Sequence, residues 1–142
     1  MSAQELEVID HTVQLTHEWI NELRDRLGWT SSRDALRLLR QTMTQIRDHL
    51  GHDEVAQFAA QMPLLIRGMF YEGWRPSHTP VRERKAEDFI AAVGERLDDM
   101  QDWRGVEDIV AVFRTLDNRI SEGELRDVKA GLPRQIRDLW PD

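Results

Sequence analysis

The chain carries one apolar pattern twice, 70 residues apart and without a gap. Between 16–70 and 86–140, 8 of 55 positions are identical, among them Arg26-Leu27 with Arg96-Leu97, Glu54 with Glu124, Pro63 with Pro133, and Ile66-Arg67 with Ile136-Arg137. The match of apolar positions is stronger than the identity. Leu36, Leu39, Met43, Ile46 and Leu50 recur as Val106, Ile109, Phe113, Leu116 and Ile120, and Val55, Phe58 and Met62 recur as Leu125, Val128 and Leu132. A buried face repeated over a whole unit describes one supersecondary module used twice. Such a chain is limited to architectures in which two like modules pack together.

Each module reads as helical. Apolar residues recur at three- and four-residue spacing, and no useful stretch alternates with a period of two. The spacing predicts helices over about 4–26, 33–50, 53–61 and 63–71, and again over about 85–97, 103–119, 122–131 and 133–140. Ser2 with Glu5, and Ser121 with Glu124, have capping-box spacing; Gly28 is a stop, and Thr30-Ser31-Ser32 supplies amino-terminal caps for the second helix. Val13, Ile20, Leu23 and Leu27 form the expected buried stripe of the first helix, and Pro63 suits a first helical position. Gly73-Trp74-Arg75-Pro76-Ser77-His78-Thr79-Pro80 reads as a loop.

The expected fold is all-α. About eight helices form two tandem pseudo-symmetric four-helix units, about 12–72 and 83–142, joined by a linker of about 73–82 and packed as one domain over 1–142. Leu64-Leu65-Ile66 in the first unit stands against Arg134-Gln135-Ile136 in the second. A helix apolar on several faces belongs inside, so the helix near 63–71 is expected near the middle and the last one at the edge.

Composition narrows the function classes. A chain of 142 residues, 40% hydrophobic and 32% charged, is long and apolar enough to bury a core. Its net charge of -7 comes without a basic stripe, which argues against nucleic acid as a partner. Without cysteine there is no thiol catalysis, disulfide or thiolate-bound metal. No signal peptide or membrane-length apolar run is visible, so a cytoplasmic protein that does not enter the membrane is expected.

One stretch is distinctive: Ala59-Ala60-Gln61-Met62-Pro63-Leu64-Leu65-Ile66-Arg67-Gly68-Met69-Phe70-Tyr71-Glu72-Gly73-Trp74. Together with Leu38 to Leu50 before it, and Ser121-Glu122-Gly123-Glu124 through Leu132-Pro133 after it, it resembles a bacterial family known as domain of unknown function 2267, over roughly 12–140. The resemblance implies a small helical bacterial protein and carries no catalytic or binding residues with it.

The residues themselves offer little catalytic chemistry. His49 and His52, flanked by Asp48 and Asp53, straddle a helix end at Gly51 and read as solvated loop histidines rather than metal ligands. His11 and His17 lie on different faces of one helix. No nucleophile elbow or glycine-rich phosphate loop is present, and Asp98-Asp99 with Asp102 reads as a solvated acidic turn. Trp29, opposite Asp99 in the repeat, either caps the core or makes an exposed contact. No catalytic residue, metal or cofactor is expected.

The aromatic cluster where the fourth helix exits is the better candidate. Phe70 and Trp74 can plug the seam between units; against that reading, Tyr71 and Trp74, with Arg75 and His78, are the candidate binding residues, because aromatic and arginine side chains make good anchors. The expected function is a non-catalytic cytoplasmic interaction or scaffold module that binds a protein partner or itself. The alternative is a small-molecule or acyl-chain binder with a pocket between repeats lined by Leu64, Leu65, Met69 and Phe70.

Overall fold

The computed structural model describes residues 6–141, and the expected Ser2–Glu5 cap lies outside them. Among the described residues there are eight α-helices and no strand. They are α1 (Glu7–Leu27), α2 (Ser32–Asp48), α3 (His52–Ala60), α4 (Leu64–Tyr71), α5 (Ala86–Glu95), α6 (Val106–Arg119), α7 (Glu122–Gly131) and α8 (Arg134–Arg137). A 3-10 turn, Pro76–His78, interrupts the linker. The fold is all-α, and among the described residues no helix is long and apolar enough to cross a membrane.

Local chemistry sets the helix ends. α1 runs unbroken through Asp10-His11-Thr12 and stops at Gly28, whose φ of 71° lets its N–H reach the Arg24 and Asp25 carbonyls. The Ser31 hydroxyl accepts the Asp34 N–H and the Ser121 hydroxyl accepts the Glu124 N–H, capping α2 and α7. Pro63 stands one residue ahead of α4 rather than inside it, because its ψ of 146° is extended. α6 begins three residues later than expected. Gly105, at φ 100°, turns the chain there, and the Asp108 carboxylate reaches back to the Arg104 N–H at 2.7 Å. α8 is a single turn; Leu139 and Trp140 continue as tight turns bonded to Ile136 and Arg137.

Burial follows the repeated pattern except at its first position, where Leu36 is half-buried and Val106, the first residue of α6, is exposed: Leu39, Met43, Ile46 and Leu50 are in the core, and so are Ile109, Phe113, Leu116 and Ile120. The helices of the two halves interlock. α1 packs on α2 and α6, α2 also packs on α5, and α3 packs on α7. The halves differ in their buried polar groups. Asp108 is fully buried at the position equivalent to Leu38, and Arg47 is buried at the position equivalent to Asp117. Arg47 holds the end of α4 by donating to the Phe70 and Glu72 carbonyls (2.7 and 3.0 Å). Asp117 holds the end of the chain with the opposite polarity, accepting the Trp140 Nε1–H at 2.8 Å.

The helix near 63–71 is not central. Leu64 and Leu65 are 57% and 42% exposed. α4 buries only Ile66 and Phe70, the same single stripe that α8 and its extension bury as Ile136 and Trp140. Its additional leucines lie on the outer side of that stripe.

Candidate functional site

The four binding residues expected from sequence do not form one surface. Trp74 is half-buried, with His52 edge-on at 5.6 Å and Tyr71 at 5.7 Å, and its Nε1–H donates to the Thr79 hydroxyl at 3.2 Å. His52 shares an Nε2–H between the Pro76 and Thr79 carbonyls (2.8 and 3.2 Å), and the Val81 N–H donates to the Asp48 carbonyl at 2.8 Å. These contacts strap the linker onto the carboxyl end of α2 and the start of α3. Tyr71 and Trp74 are turned inward to hold that strap, while Arg75 and His78 are exposed on the outside of it.

His49 is not a solvated loop residue. It is 4% exposed, donates from Nδ1 to the Gln45 carbonyl at 2.7 Å, and meets the Phe89 ring edge-on at 5.6 Å. A ring at a helix end can reach back four residues to a carbonyl, and this one is then covered by α5. His52 does lie at the surface, engaged with the linker, and His11 and His17 are exposed on α1. Trp29 caps the core. Asp99 is exposed, and the hydrogen bond from Arg37 at 2.9 Å holds its carboxyl below the usual range.

The residues expected to line a pocket are dispersed. Phe70 is in the core against Phe58 and Tyr71. Met69 is half-buried beside a polar cleft with Arg40, Thr44 and Arg96, and Leu64 and Leu65 face outward.

Two arrangements emerge from packing instead. The first is a carboxyl pair. α3 and α7 run antiparallel: Gln61, just past α3, accepts the Ser121 N–H at 3.2 Å, and Gly131 at the end of α7 lies against Leu50 ahead of α3. Gln61 thereby takes the N–H that Glu124 would bond in a closed capping box. The Glu124 carboxyl turns instead to Glu54, its repeat equivalent on α3. One oxygen of each, Oε2, is buried without a hydrogen-bond partner. Burial pushes the Glu124 carboxyl up to about 8, reinforced by the Glu54 carboxyl beside it and by the charge of Asp127. The sequence signal was available: one acid stands at the same helical position in both halves.

The second arrangement is an apolar face. On α1 the buried residues Thr16, Trp19, Ile20, Leu23 and Leu27 share one side, and Val8, Ile9 and Val13 continue that side toward the amino end. There the bundle stops covering them: they are 65%, 54% and 38% exposed. The Thr12 hydroxyl, set among them, accepts the Leu65 N–H at 2.9 Å, so the start of α4 adds Leu64 and Leu65 to the same face. Val13 was expected in the core; it lies one turn beyond the helices that would bury it.

The family model for an uncharacterized conserved protein, DUF2267, matches residues 16–139. The chain belongs to the DUF2267 family. The match leaves the exposed start of α1 outside it and spans both halves and the linker strap. No curated protein matches the chain.

Proposed function

We propose that this DUF2267 protein is a non-catalytic helical interaction module of the cytoplasm, and that it docks through the apolar face of α1 and α4 onto a second copy of itself. The observation that carries the reading is the run of Val8, Ile9, Val13, Leu64 and Leu65 outside the bundle, in line with a stripe that is core everywhere else. These side chains present roughly 500 Å² of apolar surface, at the upper end for a monomer's largest patch and over half of what one partner contributes to a standard interface. Along one flank of the stripe lie Asp10 and His17, and Glu18 and His11 stand on the opposite face of the helix. The apolar face itself has no charged residue within it, and two antiparallel copies of α1 close the contact on a two-fold axis.

The test is sedimentation equilibrium over about 1–200 µM, a range that brackets µM association. Wild-type protein is expected to move from monomer to dimer, and Ile9→Glu/Leu64→Glu to stay monomeric at every concentration with an unchanged helical spectrum. A wild-type monomer throughout, or a dimer that persists in the variant, overturns the reading. Binding of a different protein to this face without self-association overturns the choice of partner.

A further inference from the structure

We propose that Glu54 and Glu124 form a proton-shared latch between α3 and α7, and that loss of the shared proton loosens this joint between the two halves of the protein. The inference is independent of the docking face. Its basis is geometric: two carboxyls on packed, facing helices each bury an oxygen left without a hydrogen-bond partner, and a carboxyl can satisfy another carboxyl only if one of them keeps a proton. The protonated partner donates and the ionised one accepts.

The surroundings supply no cation to replace the proton. On α7, Arg126 reaches Glu122 at 3.7 Å, Lys129 lies 5.2 Å over the Trp140 ring, and Asp127 adds a further negative charge. From α4, Arg67 is spent on the carbonyls of Ala59, Ala60 and Met62 at the end of α3. On α3 itself, Asp53 is exposed and His52 is bonded to the linker carbonyls. The neighbours in the repeat register are Phe58 and Val128, both fully buried. Glu54 also borders a surface cleft with His52, Gln57 and Thr79, which gives the shared proton a way out to solvent.

The sign follows from the upward shift. A carboxyl that holds its proton more tightly when folded contributes most at low pH, and that contribution declines as pH rises from the ordinary carboxylate range through about 8. Above that point two carboxylates face each other across α3 and α7. The latch is therefore closed in mildly acidic solution and open in alkaline solution.

Amide hydrogen exchange tests it, with rates corrected for the intrinsic effect of pH. Between pH 6 and pH 9, protection of the α3 and α7 segments is expected to fall at least ten-fold relative to α2, whereas Glu54→Gln and Glu124→Gln keep the amide-to-carboxylate bond and show no such fall. Equal protection of α3 and α7 at both pH values in the wild type overturns the proposal, as does a full drop that survives in both variants. Carbon-13 titration of the glutamate carboxyls in wild-type protein decides the matter if the variants do not fold. One carboxyl titrating near 8 supports the latch, and a complete set titrating below 6 overturns it.

Discussion

Asp108 offers the sharpest test of how the second half departs from the first. It is fully buried where the first half has Leu38, and it accepts three bonds from Arg104: the backbone N–H at 2.7 Å, Nε–H at 2.9 Å and Nη2–H at 2.7 Å. Arg104 also donates to the Leu27 carbonyl at 3.1 Å, so this one pair ties the loop before α6 to the end of α1. Breaking a fully buried ion pair costs about 3–5 kcal/mol. The full figure does not apply, because the Arg104 side chain is 44% exposed and its guanidinium finds water once the carboxylate is gone. What water replaces poorly is the acceptor for the Arg104 N–H and the volume of a buried side chain, about 1–3 kcal/mol for the first alone. Asp108→Ala is therefore expected to lose about 2–4 kcal/mol, or about 10 °C in Tm for a chain of this size. Asp108→Leu, which restores the residue of the first half, recovers the packing but not the acceptor, and should fall between wild type and Ala. Urea unfolding followed by far-ultraviolet circular dichroism measures all three. A loss below about 1 kcal/mol in Asp108→Ala would refute the assignment of this carboxylate as the tie between α1 and α6.

Further outcomes follow from other contacts. Trp140 stacks on Phe113 with centroids 4.2 Å apart and planes 3° from parallel, so Trp140→Phe should keep the stack and lose about 1 kcal/mol with the Asp117 bond. A double-mutant cycle with Asp117→Ala should return that same coupling; a cycle near zero contradicts it. Gly94→Ala would place a Cβ 2.9 Å from Trp103 Nε1 and should cost about 1–3 kcal/mol, whereas Gly123→Ala, with open space around it in α7, should add about 0.5–1 kcal/mol in denaturant melts. For Glu22, burial raises the carboxyl pKa but is outweighed by hydrogen bonds from Asn118, Arg26 and Arg119, so it stays below its ordinary value. Its contribution is present above about pH 4.5 and is lost as pH falls through the lowered value, a dependence that Glu22→Gln should remove from the acid limb of the stability profile. Trp74→Ala should leave helix content unchanged and speed proteolysis of the Arg75–Lys85 segment, since Trp74 holds the linker strap; unchanged cleavage would show that Val81 and His52 suffice.

The helices were legible because their stripes are strong: Leu39, Met43 and Ile46 of α2, and Ile109, Phe113 and Leu116 of α6, sit on one face and are all buried, and packing had only to join them. The exceptions each depended on a neighbour distant in sequence. Leu64 and Leu65 look like core residues in an apolar run, but whether such a run is buried depends on how many helices surround it, and α4 is covered on one side. His49 looked like a loop residue until α5, forty positions later, laid Phe89 over it. Glu124 has the spacing of a capping box, and the reading held for Ser121. The carboxylate departs from it, because Gln61, just past the end of α3, takes the N–H that Glu124 would bond. The apolar start of α1 has no counterpart in the second half, so the repeat gave no information about it.

The crossing of helices between the halves changes what the linker is for. α1 rests on α6, α5 on α2 and α3 on α7, so the buried interior is shared between the two halves. Cut within the exposed Arg82–Lys85 segment, the chain would become two fragments whose folding is a bimolecular reaction. Mixed together they would complement each other, with a stability that depends on their concentration. The peptide between the halves thus acts chiefly as a tether: it turns the meeting of two incomplete bodies into a first-order event.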